Sequence, residues 1–456
     1  MRRYRSDSHL SGRHAPLEKL PPEVRRHILM ATTPASLQSL TRASPAYWQQ
    51  YVHDRSLIIW HILHDAIGNT ILDAVIVSQT TGNAFLQSRD FDLINAWVTQ
   101  YRDQRQAIQA RLLPMKITEQ QVVYMLEFQL KVIEPLADEF IAWNAANFHA
   151  GELTNAISAT ERGRINRALY RYQICSNLFG AGRRPFKGES EVPAEDLCTY
   201  LLILFEPWEI EEILCVYEFV KDFYHGMLNK IHWEIDKDTL KPAPRVVQQL
   251  RQPRRPRRPR PTPNSMSSSS TSLSSTSSTS SESEEMEDDE NSERQLNYIR
   301  GISSLGLHVL THIQHIAKTS DHGSLVQAMR DHTPLYNHIF LDDDTTLTDD
   351  RQEWLRMGGT LSTHNRQDRH EPLRFVGNNI YGPPLVWKLL WGGTYSSRVG
   401  GFIAPELRRW GYVFWDMERI ERAEVKEELR MAWEERWDGV DLRNEILDAD
   451  SDMDLG

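Results

Sequence analysis

With 456 residues, 40% of them apolar and 25% charged, the chain has the composition of an ordinary soluble globular protein, with room for two domains or one domain with an insertion. Its net charge of −11 excludes nucleic-acid binding through the charge of the whole chain. The three cysteines are scattered singly, which excludes a disulfide framework and fits a reducing compartment, and no apolar run approaches the about 20 residues of a membrane span.

The N-terminal region predicts a small helical unit. Residues 1–15 are expected to be disordered, and residues 16–62 are expected to form three short amphipathic helices. A break between the second and third helices is expected at Pro45, because proline disfavours helical backbone in the residue before it. Three helices of this length cannot bury a full core, so the rest of the chain or a partner must complete the unit.

The first of these helices carries the most informative motif of the chain, Leu-Pro-Pro-Glu. Pro21 and Pro22 suit the first helical turn, where a missing N–H costs little, and Val24 and Ile28 then share one face. With the residues that follow, this segment resembles an F-box. The residues that carry the resemblance are Leu20, Pro21, Glu23, Ile28, Leu29, Leu37, Leu40, Tyr47 and Trp48.

The resemblance implies docking onto a Skp-type adaptor protein of a cullin ubiquitin ligase. Arg25 and Arg26 depart from the pattern, because they stand where apolar residues are common. The resemblance assigns the adaptor-binding surface to six residues: Leu20, Pro21, Ile28, Leu29, Leu37 and Leu40.

A second resemblance lies near the C-terminus. Residues 391–397 read Trp-Gly-Gly-Thr-Tyr-Ser-Ser, and residues 407–416 read Leu-Arg-Arg-Trp-Gly-Tyr-Val-Phe-Trp-Asp. Both segments look like the end of a group of uncharacterised F-box-like proteins of filamentous fungi, whose start is also similar to the start of this chain. The role of that group is inferred from the F-box, so the resemblance implies a class of function and no particular client protein.

The apolar spacing is helical over 63–241 and again over 295–445, and strand-like alternation is scarce. We therefore predict a mainly all-α fold, in which the three-helix F-box-like unit precedes an irregular helical domain that a long disordered insertion at 242–294 interrupts. The region 410–415 is expected to pack on helices that precede the insertion. An acidic tail follows at 446–456. No repeat of 20–50 residues appears, which excludes propellers and leucine-rich horseshoes.

The insertion combines an arginine–proline block, a serine–threonine block and an acidic block, none of which can bury enough apolar area to offset the entropy of ordering. Four arginines of the first block, Arg254, Arg255, Arg257 and Arg258, form a candidate nuclear-targeting signal. The alternative is a solvated linker whose bases pair loosely with the acidic block. We expect a cytoplasmic or nuclear location, or both.

Two serines precede the acidic block of the insertion, Ser281 and Ser283. Acidophilic kinases favour serines in this context, which makes both residues candidate phosphorylation sites. Phosphate at either serine would deepen the negative charge at this end of the insertion.

No motif predicts catalysis or a cofactor. His308, His312 and His315 share a helix face and could bind zinc, but no HExxH pattern completes them, and an exposed face is favoured. The aspartates at 342–344 lack the spacing of a calcium-binding loop, and the glycines of 180–188 do not form a phosphate-binding loop. We therefore expect no enzyme, no metal and no cofactor.

Three functional hypotheses remain open at this point. The first is a substrate-recruiting adaptor subunit of a Skp–cullin–F-box ubiquitin ligase, which acts by protein–protein binding on an unknown client. The second is a helical interaction or scaffold protein whose F-box-like start is internal core and binds no ligase. The third, which the overall acidity opposes, is a nuclear protein that uses its arginine block on nucleic acid.

Overall fold

The computed structural model describes residues 15–82, 85, 91–109, 117–147, 156–181, 204–232, 234, 295–332, 341, 375–390, 403–422 and 425–436. Helices make up 81% of this part of the chain, and it contains no strand, which confirms the all-α prediction. Apart from Ala15, the segments predicted to be disordered at both ends and in the insertion lie outside these residues.

Proline sets where each of the three N-terminal helices begins, and a small hydroxyl residue caps the second and the third. The hydroxyl oxygen of Thr33 accepts a hydrogen bond from the Ser36 N–H, and that of Ser44 accepts one from the Tyr47 N–H. Proline occupies the first position of all three helices, and the break expected at Pro45 is present. After a short 3₁₀ turn at Pro16–Lys19, the helices are α1 Pro22–Met30, α2 Pro34–Ala43 and α3 Pro45–Ile67.

The helix α3 belongs to two hydrophobic clusters. Its residues Tyr47, Ile58 and Ile62 lie in a small cluster with α1 and α2, whereas Ile59 and Leu63 belong to the main core of the molecule. The N-terminal unit is therefore joined to the rest of the chain by one shared helix.

The remaining helices surround the main core. A turn of π-helix at Gln129–Ile133 connects two of them into one long helix, and a 3₁₀ turn at Gly68–Thr70 follows α3. Their bounds are α4 Ile71–Thr80, α5 Phe91–Gln109, α6 Glu119–Phe128, α7 Glu134–Asn147, α8 Ala159–Phe179, α9 Pro207–Lys230, α10 295–303, α11 Leu307–Thr319, α12 His322–Asp331, α13 Leu385–Leu390, α14 Pro405–Arg409, α15 Met417–Arg422 and α16 Val425–Arg436.

The helix α8 lies at the centre of this arrangement. Every residue from 164 to 179 is buried, and α4, α7 and α9 pack around it. Its side chains also organise later elements: the Gln173 side-chain oxygen accepts a hydrogen bond of 2.7 Å from the Leu307 N–H at the start of α11. This bond satisfies one of the N–H groups that a helix start leaves without an internal partner.

The region 410–415 packs on earlier helices, as the sequence predicts. The Phe414 ring meets the Phe140 ring of α7 edge-on, with 5.2 Å between centroids. The Phe414 carbonyl accepts a hydrogen bond of 2.9 Å from Arg164 of α8. Helix α14 contacts both α7 and α9. The described segments on the two sides of the insertion therefore share one core.

Candidate functional site

The N-terminal unit has a hydrophobic cluster of its own. Leu29 of α1 and Leu37 of α2 meet Tyr47, Ile58 and Ile62 of α3 in this cluster. The main contacts of α1 and α2 among the described elements are with α3. The outer sides of α1 and α2 are thus directed away from the main core.

The six residues assigned to adaptor binding divide into three groups. Leu29 and Leu37 are 0% and 5% exposed, because both fill the small cluster. Leu20, Ile28 and Leu40 are half-buried, and Pro21 is exposed. A partner that docks on this unit without unfolding it can therefore touch only the last four.

Large apolar side chains are also exposed on α1 and α3. Val24 of α1 is 42% exposed, and it lies one turn before the half-buried Ile28 on the same helix face. On α3, Trp48 and Val52 are 52% and 55% exposed and are also one turn apart. Neighbouring exposed apolar side chains are typical of protein-interaction surfaces.

The two arginines that depart from the F-box pattern have structural partners. Arg26 reaches from α1 to Asp54 of α3 with bonds of 2.6 and 3.1 Å to the two carboxylate oxygens. The Arg25 guanidinium donates to the Glu18 carbonyl at 3.4 Å. The hydrogen bond from Arg26 lowers the pKa of Asp54, whose backbone is not helical and marks a kink in α3. Although both arginines stand where the F-box pattern has apolar residues, each makes a contact that ties α1 to another segment of the N-terminal unit.

The candidate nuclear-targeting residues Arg254, Arg255, Arg257 and Arg258 and the candidate phosphorylation sites Ser281 and Ser283 lie outside the described residues. In the described part of the chain, no helix combines the length and the apolar character that a bilayer crossing needs.

The three histidines of α11 do not form a metal site. His308 Nε2 lies 2.6 Å from the Tyr124 hydroxyl oxygen, and its ring lies 4.9 Å from the Phe128 ring. Burial among these side chains lowers the pKa of His308. Within the described ranges, no three His, Cys, Asp or Glu side chains come together in a way that could hold a metal ion.

A layer of buried ion pairs is the feature that sequence reasoning missed. Arg164, Arg167 and Arg171 follow one another at i, i+3 and i+7 along α8 and are at most 5% exposed. Arg167 donates to both carboxylate oxygens of Glu212 at 3.0 and 2.6 Å, and Arg164 pairs with Asp416 at 3.0 Å. The spacing of the three arginines was the available signal, but it resembles a solvated helix face.

The guanidinium of Arg171 lies between two carboxylates from different helices. It is 3.0 Å from Glu209 of α9 and 3.3 Å from Asp73 of α4. Although burial opposes the effect, the positive charges of Arg171 and Arg105 hold the pKa of Glu209 well below its usual range. Glu212 differs, because burial raises its pKa in spite of Arg167.

A cavity of about 270 Å³ adjoins these ion pairs. Arg105, Arg171, Asp73 and Glu209 contribute charged side chains to its wall, and Tyr381 contributes an aromatic ring. The cavity is thus built from α4, α5, α8, α9 and the loop that precedes α13, and its wall combines these charged groups with apolar surface.

Comparisons with protein-family models, with curated proteins and with solved structures give no match to this chain. The F-box resemblance and the role in a ubiquitin ligase therefore stay predictions, and they rest on the residues of α1 to α3 and on the geometry of that unit.

Proposed function

We propose that the chain is a substrate-recruiting subunit of a Skp–cullin–F-box ubiquitin ligase and that its N-terminal three-helix unit docks on a Skp-type adaptor. The observation that carries the proposal is the outer face of α1, where Pro21 and Val24 are exposed and Ile28 is half-buried. Ile28 packs in part against the small cluster inside the unit, whereas Val24 takes no part in that cluster and leaves its apolar surface available to a partner.

The helix α3 holds the proposed docking unit in a fixed position relative to the rest of the described chain. A helix of 23 residues is about 34 Å long at about 1.5 Å per residue, although the kink at Asp54 shortens the span. Between Ile58 and Leu63 one face of the helix packs in the small cluster and the other in the main core, so α3 joins the two directly. A client held by the helical remainder would therefore keep a defined distance from the ligase, and the chain would act by proximity without chemistry of its own.

Pull-down with purified Skp-type adaptor tests the proposal. We expect the wild-type chain to bind and Val24→Asp to lose at least tenfold in affinity, because a buried unpaired carboxylate is costly at an apolar interface. The substitution should leave the fold intact, since Val24 is 42% exposed and aspartate is favourable in the first turn of a helix.

Met431→Asp is the matched control, because Met431 is 58% exposed on α16, outside the three-helix unit, and its replacement should leave adaptor binding unchanged. Equal binding by wild type and Val24→Asp would contradict docking through α1.

The burial of Leu29 and Leu37 favours a second candidate function. If the three helices serve only to close the N-terminal end of the fold, the chain is a helical interaction or scaffold protein that binds no ligase. The same pull-down separates the two functions, since the scaffold function predicts no adaptor binding even by the wild-type chain.

A further inference from the structure

In the cavity between α4, α5, α8 and α9, each charged side chain that lines the wall already faces a partner of opposite charge. Arg171 lies 3.3 Å from Asp73 and 3.0 Å from Glu209. Arg105 and Arg167 lie 3.4 and 3.5 Å from Glu209. A charged ligand would have to break one of these pairs or stay unpaired, and both are costly in a buried site. The cavity therefore favours an uncharged group.

Asp73 keeps room for one more hydrogen-bond donor. One of its carboxylate oxygens accepts from the Tyr101 hydroxyl at 2.5 Å, and the other faces Arg171. An ionised carboxylate has about four lone-pair sites, so these two partners do not exhaust it. Because Asp73 lines the cavity, a neutral hydroxyl group that enters it can donate to this carboxylate without disturbing the ion pairs.

The same charged groups already hold aromatic rings on the side away from the cavity. Tyr101 is 1% exposed and does not line the cavity, and the Arg105 guanidinium lies 5.8 Å from the centroid of its ring. The Phe205 ring lies 4.9 Å from the guanidinium of Arg105 and 4.4 Å from that of Arg171. Guanidinium groups attract the faces of aromatic rings. With Tyr101, the chain itself shows that these groups accommodate an uncharged ring that carries a hydroxyl.

The size of the cavity fits a single ring. Its volume is about 270 Å³, whereas an apolar cavity of about 150 Å³ holds benzene and pockets for drug-sized ligands begin at about 300 Å³. Leu72 and Ile380 supply apolar contacts in the wall. Tyr381, which is 57% exposed, adds an aromatic side chain against which a second ring can pack.

We propose that this cavity binds one uncharged phenolic ring, which donates a hydrogen bond to Asp73 and packs against Tyr381. The loop before α13 holds Tyr381 in place, because the carbonyl oxygens of Asn379 and Ile380 accept hydrogen bonds from arginines of α8. Two sources can supply such a ring. One is a tyrosine side chain of a client protein, which rests on the proposed ligase function, and the other is a small free phenol.

Ligand-detected NMR titration of the full chain at neutral pH tests the proposal with three probes. They are p-cresol, p-toluate, in which a carboxylate replaces the hydroxyl, and N-acetyltyrosinamide, which carries the phenol on a peptide backbone. We expect saturable binding of p-cresol by the wild type and at least tenfold weaker binding of p-toluate, because its charge finds no unpaired partner. Binding of N-acetyltyrosinamide as well would identify a tyrosine side chain as the source, whereas binding of p-cresol alone would identify a free phenol.

Tyr381→Ala should weaken p-cresol binding by a few fold, and an exposed residue can be truncated without loss of the fold. Val376→Ala is the matched control, because Val376 belongs to the same loop, is 84% exposed and does not line the cavity. It should bind as the wild type does. No saturable p-cresol binding by the wild type would overturn the proposal, as would equal binding of p-cresol and p-toluate, or equal p-cresol binding by the wild type and Tyr381→Ala. The titration contains no adaptor, so its failure is distinct from a failure of the proposed ligase function.

Discussion

At the scale of single residues, charged side chains hold together parts of the chain that are far apart in sequence. Glu161 at the start of α8 is 1% exposed, and its carboxylate accepts hydrogen bonds from Arg419 at 2.7 and 2.8 Å. It also accepts one of 3.0 Å from the Asp416 N–H. Burial opposes ionisation of Glu161, yet these bonds hold its pKa below the usual range.

This pKa shift predicts a pH-dependent contribution to stability. A carboxyl group with a lowered pKa stabilises the folded state fully above its unfolded pKa of about 4.3 and loses the contribution as the pH falls through the folded pKa. Relative to the wild type, Glu161→Gln should lower the free energy of unfolding by about 1.5–3 kcal/mol at pH 7. The difference should shrink as the pH falls below about 4. Urea unfolding of both proteins at several pH values measures it, and a constant difference would contradict it.

At the scale of elements, the central position of α8 could not be predicted from the sequence. Its apolar residues alone suggest an amphipathic helix, and its arginines suggest a solvated side. The partners that allow the arginines to be buried, Asp73, Glu209 and Glu212, come from other helices and are invisible to a local pattern. The starts of α1, α2 and α3 were easier to predict, because proline acts locally on the backbone.

The pairing of Arg167 with Glu212 predicts that removing Arg167 alone destabilises the fold strongly, and that removing Glu212 as well restores part of the lost stability. Arg167→Leu should lower the free energy of unfolding by about 3–5 kcal/mol, because it leaves a buried carboxylate without its partner. The double variant Arg167→Leu/Glu212→Leu should recover much of that loss, since two apolar side chains need no ion pair. Chemical denaturation of the three proteins measures both effects.

Arg162→Ala is the control for the comparison of the Arg167 variants. Arg162 lies on the same helix, and it pairs with the exposed Asp138, so its replacement should cost less than about 1 kcal/mol. If the single variant Arg167→Leu is no less stable than Arg162→Ala, the ion-pair layer does not support the fold.

At the scale of the whole molecule, the residues after the insertion complete the core of those before it. Arg408 of α14 donates to both carboxylate oxygens of Glu211 on α9 at 3.1 Å. The Asn144 side chain of α7 donates to the Arg409 carbonyl at 2.9 Å. The sequence predicted that the region 410–415 packs on helices that precede the insertion, but not the charged and polar contacts of Arg408 and Arg409 beside it.

This packing predicts that the two halves stay together when the chain is cut. A protease site introduced within 265–281 should yield two fragments that co-purify in size-exclusion chromatography, because the shared core does not depend on the connection. Elution of two separate, folded fragments would contradict the single core.

The prediction of the function is less complete than that of the fold. The F-box resemblance assigned six residues as equals, but side-chain burial separates Leu29 and Leu37 from Pro21. Val24 was assigned to the apolar face of α1, although it is exposed and Leu29 is the buried residue of that helix. A sequence pattern indicates which face of a helix is apolar, but it cannot decide whether that face meets its own chain or a partner.

Hydrogen–deuterium exchange of the full chain, with and without a purified Skp-type adaptor, tests the central claim most directly. Docking through the three-helix unit predicts slower exchange in α1 and at the α1–α2 connection when the adaptor is present, with no change in α8 or α9. Unchanged exchange across residues 16–62 at saturating adaptor, or protection confined to the residues after the insertion, would contradict the account and leave the scaffold function.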